Sequence, residues 1–193
     1  IANISFVNKE KLIAFDVGTA NVLIDDLMYY FYKKNYDKNG KIAFKGKINK
    51  EIIEKYKNDF FFKMQYPKSL DREYFNKYLN KLKKIKPEDA ICTASMMTVE
   101  GILLGIKTLN INFKSLILTG GGRNNLFIIK NLKKIYKSKR KKIILVDELN
   151  FNGDFLEAQA FAYLAVRCVR KLPLSLPTTT GVKKPISGGL IYQ

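Results

Sequence analysis

The order of strand and helix patterns in the second half of the chain limits its fold more than any other feature of the sequence. The segment SLILTGGG, residues 115–122, is typical of a strand that ends in a glycine turn. A helical pattern follows over residues 124–136, then an apolar strand over 143–146 and an alanine-rich apolar helix over 155–169. Strands that alternate with helices pair in parallel, because each helix returns the chain to the same end of the sheet. The sequence therefore predicts an α/β fold.

The first half combines a hairpin with helices. Two apolar segments, residues 2–7 and 11–16, flank a polar turn and predict a pair of strands. Apolar periodicity predicts helices over residues 21–35, 50–56, 71–83 and 87–109, with Asp71 as a cap and Pro87 in a first helical position. The tail over residues 172–193 predicts a surface loop or a closing extended segment. No repeat or linker interrupts the 193 residues, so one domain is expected.

Residue types that are absent or rare exclude several kinds of site. The chain has no histidine, which excludes serine–histidine triads and histidine metal sites. A general base must then be Asp or Glu, or failing those Lys or Tyr, and a metal would need oxygen ligands, which suits Mg²⁺. Cys92 and Cys168 both lie in apolar helical patterns, which predicts two buried, reduced thiols in a cytosolic protein.

The formal net charge of +18 raises the question of a polyanionic partner. Lysines account for most of the basic residues and are spread over nearly every polar face, whereas arginine, the better ligand for bases and phosphates, is rare. The densest cluster, residues 133–142, could bind a polyanion or form a solvated helix end. We expect no nucleic-acid partner.

No apolar run approaches the length needed to span a bilayer, and the best candidate, residues 101–106, is interrupted by Gly105. The start does not resemble a secretory signal, and its first residue is Ile, which indicates a processed chain or a piece of a longer one; we favour the piece. We expect no membrane association and a cytoplasmic location.

Two positions invite a chemical explanation but leave a structural one open. Asp16 lies where a buried strand meets a glycine turn, so it could serve a site or cap the next helix. Gly120, Gly121 and Gly122 follow a strand, where ligands collect in α/β sheets, yet they match no standard phosphate loop and could form a tight turn.

Two further groups of polar residues are equally ambiguous. The segment YPKSLDREYF, residues 66–75, could bind a polar or anionic substrate through Lys68, Ser69 and Arg72, or simply begin a helix with surface charges. Glu157 lies within the apolar run FLEAQAFAYLA and either faces a site or is exposed.

These segments, in this order, resemble a known enzyme family. The blocks FDVGTANVLIDD, PKSLDREYFN, LTGGGRNN, EAQAFAYLAVR and LPTTTG with GGLIY are similar to the carboxyl-terminal half of the anhydro-N-acetylmuramic acid kinases. Those enzymes carry roughly FDxGPGNxLID, PKSTGRExFN, CGGGxxN, ExxAFAWLAxR and LPxxTGA with LGxxYP. The resemblance covers essentially the whole chain. It implies the second lobe of an actin-like ATPase (sugar kinase) fold, a mixed sheet flanked by helices over residues 1–193, with the amino-terminal lobe missing.

The resemblance also implies a reaction. In this family, water opens the 1,6-anhydro bridge of anhydro-N-acetylmuramic acid while O6 takes the γ-phosphoryl group, a step of peptidoglycan recycling that uses ATP and Mg²⁺. By this likeness Asp16 is the general base and Glu157 helps to orient the water. Phosphoryl transfer depends largely on positioning and charge neutralisation, which two carboxylates and a metal can supply.

The remaining site residues follow from the same resemblance. The ATP-binding residues would be Gly120, Gly121, Gly122, Asn124 and Asn125. The residues that contact the sugar would be Asn3, Gly18, Asn21, Lys68, Ser69 and Arg72. No protein metal ligand is assigned, and the relatives suggest a homodimer.

Two departures from the family pattern leave alternatives open. Gly18-Thr19-Ala20 stands where the family has Gly-Pro-Gly, and Ala20 is tolerated at little cost only if the turn differs. Leu70-Asp71 stands where the family has Thr-Gly, and Asp71 adds negative charge near an anionic lactyl group. The alternatives are a related amino-sugar kinase with another substrate, or a catalytically silent, basic nucleic-acid-binding module.

Overall fold

A computed structural model describes residues 1–9, 11–137 and 141–192 of the chain. The first half of the chain contains strands β1 (Ala2–Val7) and β2 (Leu12–Gly18) and helices α1 (Val22–Tyr32), α2 (Lys50–Lys57), α3 (Asn76–Leu82) and α4 (Pro87–Leu109). The second half contains β3 (Ser115–Leu118), α5 (Leu126–Lys137), β4 (Lys142–Leu145), α6 (Leu156–Val169) and α7 (Pro177–Thr180). Short 3-10 turns connect several of these elements.

The α/β prediction is confirmed. Strands β1 and β2 form the predicted antiparallel hairpin. Strands β3 and β4 pair in parallel, and helix α5 connects them along the chain. Among the described residues, the strands form two separate two-stranded sheets, so the mixed character arises from one antiparallel and one parallel pair. Alternate residues of β2, Ile13, Phe15 and Val17, are buried and attach the hairpin to the core.

Helix α4 is the centre of the core. It packs against β2, α1, α2 and α5, and residues such as Ile91 and Met97 are fully buried. Contrary to the sequence expectation, this helix is long and apolar enough to cross a membrane, the one such helix within the described ranges. However, 61% of its most apolar window is buried inside the protein, as is typical of the core helix of a globular domain.

The predicted helix over residues 71–83 begins later than expected. Its first turns are irregular, because the Asp71 carboxylate accepts the N–H of Glu73 at 2.8 Å and closes a tight turn. Helix α3 starts at Asn76 after further turn hydrogen bonds, so the prediction that Asp71 caps the helix is wrong.

The two cysteines lie in different environments, and both are free thiols. Cys92 is buried, and burial raises the pKa of its thiol to about 11. Cys168 is only half-buried, so the prediction of burial is confirmed for Cys92 alone.

The basic cluster over residues 133–142 is only partly visible, since residues 138–140 lie outside the described residues. Lys141 donates to the backbone oxygen of Phe113 at 2.9 Å, so this cation is held by the protein itself.

Candidate active site

The Asp16 carboxylate is fixed near the end of β2. The cross-strand pairing places Asn3 opposite Asp16, and the Asn3 amide donates to Oδ1. The backbone N–H of Leu70 donates to Oδ2 at 2.6 Å, while the Asp16 N–H donates to the Lys68 carbonyl at 3.0 Å. The side chain is half-buried. Because a carboxylate oxygen can accept two hydrogen bonds, each Asp16 oxygen keeps room for a further donor.

The turn that follows Asp16 is tightly packed. A Cβ added at Gly18 would lie 2.5 Å from the Tyr56 hydroxyl oxygen, so this position accepts only glycine. Thr19 is almost fully buried, and the Thr98 hydroxyl donates to the carbonyl of Ala20. Ala20 has φ of 44°, a left-handed conformation, at the position where the family pattern has glycine. A positive φ is costly for alanine, so Ala20 is strained in this turn.

Two glycines on α4 make that packing possible. A Cβ at Gly101 would lie 2.6 Å from the Val17 carbonyl oxygen, and one at Gly105 would overlap the Val17 side chain. These glycines let the helix lie directly against the end of β2. This contact holds the backbone around Asp16 in place.

The glycine turn after β3 is open by comparison. Gly120 has φ of 71°, which favours glycine, and the next residues form a 3-10 turn, Gly121–Asn124. A Cβ at Gly121 or Gly122 would have room, since its nearest neighbour is the Asn21 amide at 3.6 Å or more. Protein packing therefore does not explain these two glycines, whereas a ligand that approaches the backbone would.

Asn21 brings the two turns together. Its side chain makes no capping hydrogen bond to α1 and lies beside Gly121 and Gly122. An open pocket of about 400 Å³ lies at this junction. Its lining includes Asn21, Ile24, Asp25, Tyr36, Asp37, Lys38, Asn39, Gly121, Asn124 and Asn125.

Asn124 and Asn125 have different environments. Asn124 is exposed in the pocket, whereas the Asn125 side chain is buried and accepts the N–H groups of Phe127 and Ile128 at 3.1 and 3.3 Å. Asn125 therefore caps the start of α5, a structural use of its carbonyl oxygen. Its predicted contact with ATP stays a prediction.

Sequence reasoning missed Asp25, which lines the same pocket. Burial and the neighbouring charge of Asp26 raise the pKa of the Asp25 carboxyl to about 6, and the positive charge of Arg72 opposes this shift. The available signal was its place at the end of the block FDVGTANVLIDD, in the first turn of α1.

Sequence reasoning also missed Arg123, which anchors the glycine turn. The buried guanidinium donates to the Gly120 carbonyl at 3.1 Å, to Asp147 at 2.7 Å and to Asp154 at 2.8 Å. The hydrogen bonds from Arg123 lower the pKa of the Asp147 carboxyl. Since Asp154 precedes α6, Arg123 joins the glycine turn to the start of that helix.

Of the residues predicted to contact the sugar, some contact Asp16 and others lie exposed or pair with other groups. The Lys68 ammonium is buried and donates to the carbonyls of Phe61 and Met64, both at 3.0 Å, and burial lowers its pKa. Ser69 is exposed beside Leu70, and the exposed Arg72 pairs with Asp26 of α1 at 3.1 Å. Asn3 and the backbone of Lys68 contact Asp16 directly; the proposed contacts with the sugar stay predictions.

Glu157 lies on the first turn of α6, where its side chain is exposed. Its predicted part in orienting water stays a prediction. Within the described ranges, no three Asp, Glu, Cys or His side chains converge as a metal cage.

Comparisons with known proteins identify the family. A family model described as anhydro-N-acetylmuramic acid kinase matches residues 1–193. A protein of that name from Zymomonas mobilis is 35% identical over 194 residues, which is 100% of this chain and 52% of the relative. The anhydro-N-acetylmuramic acid kinase of Roseobacter denitrificans is 34% identical over 97% of this chain and 50% of its own length. The anhydro-N-acetylmuramic acid kinase 1 of Jannaschia sp. is 36% identical over 92% of this chain and 46% of its own length.

The chain thus spans about half the length of the curated relatives it matches. The match over the whole chain agrees with the order of the five sequence blocks and with the α/β architecture of a sugar kinase of the actin-like type. The chain therefore belongs to the anhydro-N-acetylmuramic acid kinase family.

Proposed function

We propose that this chain forms part of an ATP-dependent kinase that opens 1,6-anhydro-N-acetylmuramic acid with water and phosphorylates its O6. The products would be N-acetylmuramic acid 6-phosphate and ADP. The observation that carries the proposal is the Asp16 carboxylate, fixed by Asn3 and the Leu70 N–H at the end of β2. Asn21, five residues after Asp16, lies beside Gly121 and Gly122, and this contact between the two turns supports a single site for the base and the nucleotide.

Asp16 can act as a general base because its carboxylate oxygens keep lone pairs that are free to accept a proton. Asp16 takes a proton from the attacking water, whose oxygen bonds to C1 of the sugar as the bond between C1 and O6 breaks. The γ-phosphoryl group passes from ATP to O6 as its bond to the β-phosphate oxygen breaks, and ADP is the leaving group. Asn3 and the Leu70 N–H keep the carboxylate aimed during the step, so they act as positioning groups.

The glycine turn and its pocket fit a nucleotide. Gly121 and Asn124 line the pocket, and the missing side chains at Gly121 and Gly122 leave the backbone open to close approach. ATP supplies the γ-phosphoryl group when it is bound. Mg²⁺ would be held mainly by the phosphate oxygens of the nucleotide and by water.

The remaining parts of the proposal concern the whole enzyme. An amino-terminal lobe would supply the rest of the phosphate-binding apparatus, and the enzyme would act in peptidoglycan recycling in the cytoplasm, as a homodimer. Because the chain spans about half of its relatives, we expect residues 1–193 alone to show no turnover. Phosphorylation of the anhydro sugar by the isolated chain would contradict this two-lobe arrangement.

The decisive experiment uses a full-length enzyme, here called the joined enzyme. It joins this chain to the part of the Zymomonas mobilis relative outside the matched region. We expect Asp16→Asn to lower kcat about 10²- to 10⁴-fold, because the amide cannot accept the proton, with ATP affinity nearly unchanged. Glu51→Gln, at an exposed carboxylate on α2, is the matched control and should leave kcat unchanged. A near-normal rate for Asp16→Asn would remove Asp16 from its role.

One observation favours a second candidate, a related amino-sugar kinase. Asp71 is exposed and directly follows Leu70, whose N–H holds Asp16, so its charge lies close to the proposed base. This charge disfavours a substrate with an anionic lactyl group. Comparing kcat/KM for the anhydro sugar and for N-acetylglucosamine, in the joined enzyme and its Asp71→Gly variant, decides between the two. A higher kcat/KM for N-acetylglucosamine would support the second candidate.

A further inference from the structure

The backbone N–H that holds the Asp16 carboxylate belongs to a short loop over residues 66–70. Two hydrogen bonds join this loop to the end of β2. The Asp16 N–H donates to the Lys68 carbonyl at 3.0 Å, and the Leu70 N–H donates to the Asp16 carboxylate at 2.6 Å. The direction of the carboxylate therefore depends on where the 66–70 loop lies.

The side chain of Lys68 ties this loop to a second segment of the chain. Its ammonium donates to the carbonyls of Phe61 and Met64, both at 3.0 Å. The same ammonium lies 4.4 Å from the centre of the Phe61 ring and 5.8 Å from that of Phe15, the residue before Asp16. Lys68 therefore fixes the loop with its ammonium and contacts Asp16 with its carbonyl.

The burial of Lys68 is unusual for this chain. The residue is 7% exposed and is the only buried lysine within the described ranges. Burial lowers the pKa of its ammonium, and no carboxylate among the described residues forms an ion pair with it. Burying a charge without a counter-charge costs folding free energy. This cost indicates that the ammonium supplies an arrangement that an apolar side chain of similar size could not.

The same geometry argues against direct contact between the Lys68 ammonium and the sugar. A lysine ammonium has three N–H donors, and two of them are donated to backbone carbonyls. Because the side chain is buried, it would have to leave both carbonyls to meet a ligand. The hydrogen bonds of Lys68 therefore fit a structural anchor better than a sugar contact.

The segment that accepts these hydrogen bonds is itself held in place. Asp59 caps the 3-10 turn Phe60–Lys63 by accepting the Phe61 N–H at 3.1 Å. The buried Asp59 carboxylate also accepts from three side chains, the hydroxyl groups of Tyr74 and Tyr78, each at 2.9 Å, and the ammonium of Lys77, at 2.7 Å. Lys68 is therefore anchored to a turn that the core fixes from the other side.

We propose that Lys68 is a positioning residue whose buried ammonium holds the 66–70 loop so that the Leu70 N–H keeps the Asp16 carboxylate in place. The proposal rests on the role of Asp16 as general base given under the proposed function. Without the ammonium, the loop shifts and the Leu70 N–H moves away from the carboxylate. The reaction then slows, while binding of the sugar is retained.

The kinetics of the joined enzyme separate positioning from sugar contact. Lys68→Met keeps a long side chain but removes its donors, so kcat should fall about 10- to 100-fold, with KM for the anhydro sugar changed less than about two-fold. Lys63→Met, at an exposed lysine of the anchoring turn, is the matched control and should change neither. A raised KM with kcat retained would assign Lys68 to the sugar and overturn the proposal. Unchanged kinetics would overturn it as well.

The Leu70 amide reports the position of the loop without using catalysis. In the joined enzyme, NMR should show that this amide exchanges about ten-fold faster in Lys68→Met, while the buried amides of α4 keep their exchange rates. Faster exchange at both places would indicate general destabilisation, and unchanged exchange at Leu70 would indicate no link; either result overturns the proposal. A near-normal rate for Asp16→Asn would remove the proposed function while leaving the Leu70 result intact, so the two failures are distinguishable.

The unaltered joined enzyme gives a second test if Lys68→Met does not fold. The Lys68 ammonium is buried and hydrogen-bonded, so its nitrogen resonance should be observable by NMR before any ligand is added. We expect its chemical shift to stay the same when the anhydro sugar is added to saturation, because the ammonium keeps its two carbonyl partners. A change in this chemical shift at saturation would indicate contact with the sugar and overturn the proposal.

Discussion

The turn after β2 and the turn after β3 meet at one pocket, but they use glycine in opposite ways. At the β2 turn, Gly18 and the facing Gly101 have no room for a Cβ, because the Tyr56 hydroxyl and the Val17 carbonyl lie within 2.8 Å of its position. At the β3 turn, a Cβ at Gly121 would meet nothing closer than 3.6 Å. The first turn is closed by the protein, and the second is open.

This difference bears on the two proposed roles, in which the β2 turn positions Asp16 and the β3 turn binds a nucleotide. The packed turn fixes the backbone that carries Asp16, because α4 lies directly against it. The open turn leaves Gly121 accessible from the pocket. A catalytic group gains from rigid support, whereas a ligand needs surface that the protein has not already covered. Substitutions in the two turns should therefore affect different measurements.

The largest expected effect is on the stability of the packed turn. Gly101→Ala should lower the free energy of unfolding of residues 1–193 by about 2–3 kcal/mol, because its Cβ would lie 2.6 Å from a backbone carbonyl that cannot move freely. Urea unfolding followed by circular dichroism measures this change. Gly188→Ala is the control, since no atom lies within 4 Å of a Cβ there. Equal unfolding midpoints for the two variants would show that the β2 turn is not closed.

The open turn should give the opposite result. Gly121→Ala should change the free energy of unfolding by less than about 0.5 kcal/mol, because its Cβ has room. In the joined enzyme, the same methyl group should weaken ATP binding about ten-fold by blocking approach to the backbone. Isothermal titration calorimetry measures this affinity. Unchanged ATP affinity would show that the open turn has no part in nucleotide binding, and the proposed difference in role between the two turns would then be wrong.

A third prediction concerns the charge of Asp25 in the pocket between the turns. Its folded-state pKa of about 6 lies above the usual value of 3.8, so the folded state holds its proton more tightly than the unfolded state does. Protonation thus favours folding at low pH, and this contribution is lost as pH rises through about 6. After allowance for solvent screening, Asp25→Asn should raise the free energy of unfolding by about 1 kcal/mol at pH 7.5.

At pH 3 the same substitution should have almost no effect, because Asp25 is then mostly protonated in both the folded and the unfolded state. Urea unfolding at both pH values gives the comparison. Glu73→Gln, at an exposed carboxylate, is the control and should show no such dependence on pH. A gain from Asp25→Asn that is equal at pH 3 and pH 7.5 would show that burial does not raise the pKa of this carboxyl.

Some parts of this arrangement could be read from the sequence, because they follow from local periodicity. Alternating apolar residues predicted the hairpin, and the order of strands and helices predicted the parallel pair. The closed character of the β2 turn could not be predicted, since it depends on Gly101, more than eighty residues away in the chain. The exposure of α6 could not be predicted either. Its apolar composition indicates burial, but the sequence pattern does not show which surface covers the helix.

The smallest effect concerns Ala20, where the β2 turn departs from the family pattern. Its φ of 44° is costly for alanine, so Ala20→Gly should raise the free energy of unfolding by about 0.5 kcal/mol after the greater freedom of unfolded glycine is subtracted. Ala14→Gly, in the regular part of β2, is the control and should lower it by about 0.5–1 kcal/mol. Thermal unfolding of both variants measures the difference. If Ala20→Gly were as destabilising as Ala14→Gly, the turn would not be left-handed, and the packing that fixes Asp16 would need another origin.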